Sequence, residues 1–409
     1  TISDMMNLLQ RNHVLILLYG ISFNKLLSFL KWPSSPSFNI KITIVYFTYY
    51  LTSLQTLIGE LIMANNNPTG LKGIEFTEYS SPDPTALKEL FYAFGFSHTM
   101  SNEENTLGLF QQNNINFIIN QSPTGHSHEF FKAHGPCISS MAFRVEDAQK
   151  AFEISTSNGA KVAQGEYFYK GNKIPAIYGI GDSLIYFVDE ENSQQLYKEM
   201  GFQADPNGKK VEDKGFQFID HLTNNVHKGT MEHWSNFYKD IFGFTEVRYF
   251  DIRGVKTGLK SYALQSPCQT FCIPINEGTE AKSQINEYLE EYNGPGIQHI
   301  AFSTNDIVDS LKKLSQTDID TLDIDDEYYQ EVFDRVPNVT EDHQTLQDLN
   351  ILVDGDEEGY LLQIFTKNVI GPIFIEIIQR KNHHSFGQGN FGALFRSIEK
   401  DQQKRGYLK

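Results

Sequence analysis

Two histidines and one glutamate interrupt stretches of the chain that otherwise look like plain β-strands. His221 lies in "FIDHLTN", His299 in "GIQHIAF" and Glu376 in "GPIFIEIIQ". A carboxylate buried in so apolar a strand is unfavourable unless it is paired or bound to a cation. Two imidazoles and one carboxylate form the facial triad of non-haem Fe(II) oxygenases, which leaves coordination positions open for substrate and dioxygen. The residue types therefore favour a metal site that works with dioxygen.

The three residues are too far apart in sequence for a local metal-binding motif, so a shared site depends on an internal repeat. Four segments follow one plan, an apolar strand, an amphipathic helix and further strands. The three positions carry Phe76 in "GIEFTEY", Ser140 in "ISSMAF" and Tyr186 in "LIYFV" in the first half, against His221, His299 and Glu376 in the second. A lone strand histidine is more often a hydrogen-bonded core residue than a ligand. Three substitutions that occur together favour a metal site over coincidence.

The elements that would position these residues recur along the chain. The segments open at "GIEFTEY", "ISSMAFRVED", "FQFIDHLTNNV" and "GIQHIAFSTND". They predict an α+β fold of four βαβββ-type modules, paired into two half-barrel domains. The polar stretch from Gly201 to Gly215 predicts the linker between the halves. We expect an N-terminal domain without metal at residues 63–204 and a catalytic domain with the metal site at residues 205–409.

The first 62 residues differ from the rest of the chain. "IKITIVYFTYYLTSLQTLIGELIM" is rich in apolar and aromatic residues, carries little charge and is long enough for a membrane span. The chain begins with Thr1, shows no small-residue cleavage pattern of a signal peptide and changes character at Met63. We expect Met63 to be the natural start and residues 1–62 to add nothing to the fold. A membrane anchor is the alternative.

Composition argues against several classes of partner. The chain of 409 residues has a formal net charge of −17, which disfavours nucleic acid and anionic membrane surfaces. Its length favours two domains. Cys137, Cys268 and Cys272 form no CxxC pair, so we expect no structural zinc and a reducing compartment, the cytoplasm.

From Gly73 to the C-terminus the chain resembles the 4-hydroxyphenylpyruvate dioxygenase family of the vicinal-oxygen-chelate superfamily, which has a glyoxalase-like fold. The resemblance is carried by "FIDHLTNNV", "RYFDIRGVKTGLKS", "GIQHIAFSTNDI", "GPIFIEIIQRKN" and "FGQGNFGALFRSIEKDQQKRG". It implies one Fe(II) per subunit, held by His221, His299 and Glu376. It also implies conversion of 4-hydroxyphenylpyruvate and O2 to homogentisate and CO2, a step of tyrosine and phenylalanine catabolism. We expect a homo-oligomer, a dimer or a tetramer.

The resemblance further implies which side chains surround the substrate. Those matching positions that bond the phenol are Ser261, Asn276, Gln284 and Gln298. Those matching residues around the aromatic ring are Phe365 and Phe391, with Gln363 and Asn390 beside them. Neighbours on a strand face opposite sides, so Gln298 should point away from a metal held by His299 unless the strand is twisted or bulged. We interpret Phe374 as ordinary packing.

The closing stretch resembles the C-terminal helix with which the family gates its pocket. "SFGQGNFGALF" places glycines before a helix, which suits the hinge of a lid that excludes water. Ser385 stands where the family usually has glycine, a difference that concerns the lid and not the ligands. We expect His383 and His384 to be exposed loop residues.

Three other functions remain open. 4-Hydroxymandelate synthase shares the ligands and the substrate but hydroxylates the benzylic carbon, and the bulk of Phe365 favours the ring-hydroxylating enzyme instead. A haemolysin-like or pigment-associated protein would use the hydrophobic leader as its membrane contact, against which the intact triad argues. Metal-dependent isomerases and lyases of the superfamily lack the pocket-lining stretches quoted above.

Overall fold

The computed structural model of the protein describes residues 66–254 and 256–408. The expectations for residues 1–62 lie outside the described residues and stay predictions. Within the described part of the chain, no helix combines the length and the apolar character that a membrane span requires.

The first half of the described chain forms a nine-stranded sheet. Its strands, with the separate hairpin β7–β8, are β1 (Leu71–Ser80), β2 (Ser97–Asn102), β3 (Leu107–Gln112), β4 (Ile115–Asn120), β5 (Cys137–Val145), β6 (Val162–Ala163), β7 (Phe168–Tyr169), β8 (Asn172–Lys173), β9 (Ala176–Tyr178), β10 (Leu184–Asp189) and β11 (Phe202–Ala204). Its helices are α1 (Pro84–Ala93), α2 (His126–His134), α3 (Ala148–Ser157) and α4 (Ser193–Glu199), with a 3-10 turn at Ile180–Asp182. The strand order is β11-β2-β3-β4-β1-β5-β10-β9-β6.

The second half forms an eight-stranded sheet in the order β13-β14-β15-β12-β16-β19-β18-β17. Its strands are β12 (Phe216–Val226), β13 (Thr245–Arg253), β14 (Gly258–Gln265), β15 (Cys272–Gly278), β16 (Gly296–Thr304), β17 (Leu352–Gly355), β18 (Tyr360–Phe365) and β19 (Phe374–Lys381). Its helices are α5 (Met231–Phe242), α6 (Gln284–Glu291), α7 (Ile307–Leu314), α8 (Asp326–Arg335), α9 (His343–Asp348) and α10 (Phe391–Lys404), with a 3-10 turn at Gln388–Asn390.

The two sheets have the same topology once the edge strand β11 is set aside. At the centre of each lies an antiparallel pair, β1 with β5 and β12 with β16. Each central strand has a parallel neighbour on its other side. Each half thus contains two modules of one strand, one or more helices and three sheet strands. The predicted α+β fold of four βαβββ-type modules, paired into half-barrels, is confirmed.

Strand pairing tests the comparison of the two halves that the sequence suggested. In the first sheet, Ala142 of β5 pairs with Phe76 on one side and with Tyr186 on the other. The corresponding residues of the second sheet are Ala301, His221 and Glu376. Ser140 and His299 each lie two residues before the shared alanine. The three pairs of positions are therefore equivalent in the fold as well as in the sequence.

Both central pairs carry β-bulges at the same places. In the second sheet the register shifts at Asp220 in β12 and at Gln298 in β16, so each is an extra residue in its strand. The equivalent extra residues of the first sheet are Glu75 and Ser139. A bulge breaks strict alternation and turns the next side chain to a new direction. Each proposed histidine ligand directly follows such a residue.

Aromatic rings fill the space between the halves and the interior of the first half-barrel. Phe302 of β16 packs against Phe96 of the first half, with ring centroids 5.7 Å apart. Inside the first half-barrel, Tyr167 lies 5.9 Å from Phe76 and 5.5 Å from Tyr186, centroid to centroid. All three are buried. The first half-barrel thus carries rings at two of the three positions where the second carries the triad.

The stretch from Gly201 to Gly215 connects the two sheets. Its strand β11 pairs with β2, and the backbone N–H of Lys214 donates to Oε1 of Gln112 at 2.8 Å. The connection therefore lies along the first sheet.

Candidate metal centre and substrate cavity

His221 on β12, His299 on β16 and Glu376 on β19 meet inside the second half-barrel. Nε2 of His221 lies 3.1 Å from Oε2 of Glu376 and 3.3 Å from Nε2 of His299, and the third distance is 3.5 Å. His221 is 3% exposed and Glu376 is 4% exposed, and 11% of the His299 side chain is exposed. Bonds of about 2.1 Å to one ion place neighbouring ligand atoms about 3 Å apart. The spacing and the two-nitrogen, one-oxygen donor set fit a divalent transition metal.

Charge and burial shift the pKa of all three side chains, and the shifts of Glu376 and His299 favour the forms that bind metals. Burial by itself would raise the pKa of Glu376, but the neighbouring histidines outweigh it and hold that pKa below its usual range. Burial would lower the pKa of His221, but Glu376 and Asp220 outweigh it and raise that pKa. Burial also lowers the pKa of His299, which favours the neutral imidazole that binds metals.

The strands around the triad present alternate residues to one cavity. The alternating pairs on β12, β14, β15, β18 and β19 are His221 and Thr223, Leu259 and Ser261, Pro274 and Asn276, Gln363 and Phe365, and Phe374 and Glu376. Apart from the triad, every described side chain that lines the cavity is neutral. A lining of aromatic, aliphatic and neutral polar side chains suits an aromatic molecule of low molecular mass.

Comparison with known proteins places this site in a family. The family model "Hydroxyphenylpyruvate dioxygenase, HPPD, N-terminal" matches residues 65–203, and that of the glyoxalase/bleomycin resistance protein/dioxygenase superfamily matches residues 202–363. The 4-hydroxyphenylpyruvate dioxygenase of Pseudomonas aeruginosa is 45% identical over 350 residues, which cover 84% of this chain and 98% of that protein. The chain belongs to the 4-hydroxyphenylpyruvate dioxygenase family.

Two further relatives carry other names. Protein MelA of Shewanella colwelliana is 56% identical over 84% of this chain and 99% of its own length. Hemolysin VllY of Vibrio vulnificus is 46% identical over 84% of this chain and 98% of its own length. This member of the 4-hydroxyphenylpyruvate dioxygenase family therefore also resembles proteins that are not named as dioxygenases.

Solved structures confirm the glyoxalase-like, vicinal-oxygen-chelate fold. A fusion of a xylose isomerase-like TIM barrel with a 4-hydroxyphenylpyruvate dioxygenase superposes with a TM-score of 0.69 at 28% identity, over 81% of this chain and 52% of that chain. A triple mutant of 4-hydroxymandelate synthase from Streptomyces coelicolor also gives 0.69, at 22% identity, over 81% of this chain and 99% of that chain. The second likeness concerns the fold alone.

Seven of the eight side chains predicted from the family to surround the substrate line the same cavity as the triad. They are Ser261, Asn276, Gln284, Gln298, Gln363, Phe365 and Phe391. The eighth, Asn390, is not brought to the cavity. Its Oδ1 accepts a hydrogen bond from the Tyr328 hydroxyl at 2.7 Å and lies 3.4 Å from Nη2 of Arg335. Asn390 thus holds the start of α10 against α8, and this placement gives no support to its predicted contact with substrate.

Gln298 reaches the cavity because β16 is bulged. As the extra residue of the strand, it is released from the alternation that would turn it away from His299. Its Oε1 lies 3.3 Å from Nδ1 of His299, and its side chain lines the cavity. Of the two orientations that the sequence left open, the bulged one is present.

Phe374 packs against the hydrophobic core, as interpreted, and its ring also faces the triad. Its ring stacks on His299 with centroids 4.7 Å apart and an angle of 19° between the planes. It also lines the cavity. The alternation of β19, which turns Phe374 and Glu376 to the same side, was the sequence signal for this role.

Most of the cavity lining that α10 contributes was not predicted from the sequence. Leu394, Phe395 and Ile398 line the cavity together with Phe391. Residues three, four and seven positions apart share one face of a helix, so the spacing held this information. Phe250 and Ile252 of β13, and Phe386 before the helix, complete the aromatic and aliphatic lining.

Two glycines lie close to neighbouring side chains where the chain enters α10. Gly387 has a φ of +72°, and a Cβ there would lie 2.6 Å from the amide of Gln363. A Cβ on Gly389 would lie 1.9 Å from Nη1 of Arg335. Ser385 precedes them, and its Oγ lies 2.7 Å from Nε2 of His383. His383 is half-buried, contrary to the expectation of an exposed loop residue, whereas His384 is exposed.

Proposed function

We propose that the chain is a 4-hydroxyphenylpyruvate dioxygenase that converts 4-hydroxyphenylpyruvate and O2 to homogentisate and CO2. The observation that carries this is the convergence of His221, His299 and Glu376 within a cavity whose other described lining is neutral. Reaction chemistry in such a cavity has to take place at the triad, because the other lining side chains neither ionise near neutral pH nor act as nucleophiles activated by a base.

We propose these three residues as the ligands of one Fe(II) per chain. Bound there, Fe(II) would supply the redox chemistry with dioxygen and hold the keto acid of the substrate. The contribution of the protein is then to orient the substrate and exclude water. All three ligating side chains lie on the cavity wall, so a keto acid bound to their metal extends its ring into the cavity.

Neutral polar residues would receive the phenol of the substrate. Ser261 and Asn276 are paired across β14 and β15, which brings their side chains together on the cavity wall. Both are buried, so their polar groups favour a ligand that can exchange hydrogen bonds with them. Amide and hydroxyl groups can donate to and accept from a neutral phenol without ionising it. Gln284, Gln298 and Gln363 line the same cavity.

Aromatic side chains would hold the ring of the substrate and close the cavity. Phe365 lies beside Phe374, with centroids 6.1 Å apart. Phe391 comes from α10, which also covers the cavity with its apolar face. We propose that α10 is the gate predicted from the family resemblance and that its closure keeps bulk water from the metal.

Four finer statements belong to the same proposal. Residues 63–204 would form a domain without metal, and residues 205–409 the catalytic domain. The enzyme would work in the cytoplasm, which is supported by the free thiols of Cys137, Cys268 and Cys272. It would be a homo-oligomer, a dimer or a tetramer, which light scattering coupled to gel filtration measures directly.

Product identification tests the proposal. Metal-free protein is loaded with Fe(II) under nitrogen, mixed with 4-hydroxyphenylpyruvate and oxygen, and the products are identified by mass spectrometry. We expect homogentisate, with one CO2 released for each O2 consumed. 4-Hydroxymandelate as the product would select the synthase instead, and the absence of oxygen uptake would reject both enzymes.

The 46% identity to hemolysin VllY motivates a second candidate function, lysis of membranes. A vesicle-leakage assay compares the active protein with His299→Ala. Leakage that persists without turnover would establish a separate membrane activity. No leakage from either protein would dismiss it.

A further inference from the structure

A buried ion pair stands behind His221. Oδ1 of Asp220 accepts hydrogen bonds from Nδ1 of His221 and from Nη2 of Arg380, each at 2.8 Å. Oδ2 of Asp220 accepts a third, from Nε of Arg380, also at 2.8 Å. Two parallel bonds from one guanidinium fix the plane of a carboxylate. Asp220 therefore presents an oriented acceptor to the imidazole.

This acceptor decides which nitrogen of His221 faces the cavity. An ionised carboxylate only accepts, so Nδ1 of His221 carries a hydrogen. In the neutral imidazole that binds a metal, the lone pair is then on Nε2. Nε2 is the atom that lies 3.1 Å from Oε2 of Glu376. A flip of the ring would break the bond to Asp220 and leave a buried carboxylate oxygen with one donor fewer, which is unfavourable. The pair thus disfavours every other ring orientation.

The same guanidinium reaches the segment that leads into α10. Nη1 of Arg380 donates to the carbonyl oxygens of Ser385, at 2.6 Å, and of His383, at 3.3 Å. The Arg380 guanidinium also lies 5.8 Å from the ring of Phe386. That ring is set edge-on to His221, with centroids 5.6 Å apart. One side chain therefore contacts the carboxylate that orients a ligand and the backbone of the closing segment.

The first half-barrel contains a comparable pair without these connections. Glu75 is the equivalent bulge residue and accepts from Nε of Arg144 at 2.7 Å. It is followed by Phe76, so its carboxylate orients no imidazole. Its other oxygen accepts from the hydroxyl of Tyr197 at 3.1 Å. Both halves thus contain an acidic residue at the bulge with an arginine beside it. In the second half the acidic residue also contacts a proposed metal ligand, His221.

We propose that Asp220 and Arg380 are positioning residues, which hold Nε2 of His221 toward the metal and couple that orientation to the segment 383–386. Asp220 acts on the ring, and Arg380 fixes Asp220 while it binds the closing backbone. Metal affinity and order of the closing segment then depend on one guanidinium. The inference rests on the proposed function only in taking the triad as the metal site.

Calorimetric titration of the metal-free protein with Co(II) tests the effect on the ligand. Loss of a hydrogen-bond partner behind a metal-binding histidine typically weakens the metal by about 10–100-fold. We expect a loss of this size for Asp220→Asn and a loss of about 10-fold for Arg380→Gln. Arg380→Lys keeps the charge without the two-pronged contact, so its affinity should fall between Arg380→Gln and wild type. Glu75→Gln is the matched control and should bind Co(II) as wild type does.

Hydrogen exchange measured on the same proteins tests the link to the closing segment. Amides of residues 383–387 should exchange faster in Arg380→Gln than in wild type, and Glu75→Gln should leave them unchanged. Wild-type Co(II) affinity in Asp220→Asn, or an equal loss in Glu75→Gln, would overturn the proposal. So would unchanged exchange in Arg380→Gln. If Arg380→Gln fails to fold, the Co(II) affinities of Asp220→Asn and Arg380→Lys still test the proposal. Both readouts are independent of turnover, so a protein that makes no homogentisate but shows these differences would reject the proposed function and retain this inference.

Discussion

The two half-barrels share strand order and bulges, yet each stabilises a buried carboxylate in its own way. In the first, Glu78 accepts hydrogen bonds from Ser140, Tyr167 and, at 2.7 Å, from Nδ2 of Asn120. In the second, Glu376 faces two imidazoles. The neutral donors around Glu78 direct hydrogen atoms at its carboxylate oxygens. Neutral imidazoles instead direct nitrogen lone pairs toward the same point as the oxygens of Glu376. The contrast shows that the neighbouring donors, more than a buried acid alone, make a metal site.

The largest effect is expected when a proposed metal ligand of the second half is replaced by the equivalent residue of the first half. His299→Ser installs the residue of the equivalent position, Ser140. We expect Fe(II) binding to fail and kcat/KM to fall by roughly 1000-fold or more, because one of three ligands is lost. Metal content and oxygen uptake measure both effects.

The thermal midpoint should meanwhile stay within a few degrees of wild type, since the fold already accommodates serine at that position. Ser140→Ala is the control and should retain metal and turnover. If His299→Ser unfolds the protein, His299 is a core residue and its role as a ligand is refuted.

Phe374 offers a second exchange, with a smaller effect. The equivalent residue of the first half is Leu184, two positions before Tyr186 as Phe374 is two before Glu376. Phe374→Leu removes the stacking on His299, and an aromatic pair contributes about 0.5–1.5 kcal/mol. We expect kcat/KM to fall by about 3–10-fold, measured by steady-state oxygen uptake. Leu184→Ala should lower the midpoint of unfolding and leave kcat/KM unchanged; the opposite pattern would return Phe374 to ordinary packing.

The helices that follow β10 and its counterpart β19 also differ. In the first half this helix is α4 (Ser193–Glu199), whereas in the second it is α10 (Phe391–Lys404), which covers the cavity. The far end of α10 is fastened to α6, where Glu287 accepts from Arg405 and, at 2.8 Å, from Nε2 of Gln402. α6 begins at Gln284, a cavity residue. The position of α10 and the shape of the cavity are thereby connected.

Arg405→Gln should loosen this end of the helix. Because Arg405 is partly exposed, we expect a modest result, a rise in KM of about twofold to fivefold with little change in kcat. Faster cleavage within residues 391–408 under limited proteolysis should accompany it. Arg396, which lies on α10, forms an exposed ion pair with Asp325 at the start of α8. Arg396→Gln removes this pair and should change both readouts less. Equal effects in the two variants would argue against a specific fastening at α6.

The smallest expected effect concerns acids of the first half-barrel. Burial, assisted by the charge of Glu78, raises the pKa of Glu166 to about 7 from its ordinary 4.5. The folded state therefore keeps a proton that the unfolded state releases, so the free energy of unfolding falls as the pH rises between these values. Glu166→Gln should remove this decline, by about 1 kcal/mol between pH 5 and pH 8 after solvent screening, in urea unfolding. The exposed Glu153→Gln should keep the wild-type slope, and a wild-type slope in Glu166→Gln would contradict the assignment.

Repetition within the chain made the fold and the triad predictable. Phe76, Ser140 and Tyr186 marked three positions that the sheet does not require to be ligands, and the strand pairing places them as expected. What could not be predicted depends on single-residue irregularities. Gln298 lines the cavity because of a bulge, and a bulge leaves no trace in a hydrophobic pattern.

The contacts of Asn390 could not be predicted for a related reason. A resemblance identifies a residue at the start of a helix, but the direction of its side chain depends on Tyr328 and Arg335, which lie more than fifty residues away in sequence. The shared position of Leu394, Phe395 and Ile398 could have been predicted, because helical spacing alone puts them on one face.

The bulges at Asp220 and Gln298 have a consequence for how robustly the site is specified. With strict alternation, only every second side chain of a strand points to one face of the sheet. With the extra residue, a histidine and the polar group beside its ring are joined by one peptide bond. Their mutual placement is then local and does not have to be assembled from distant loops.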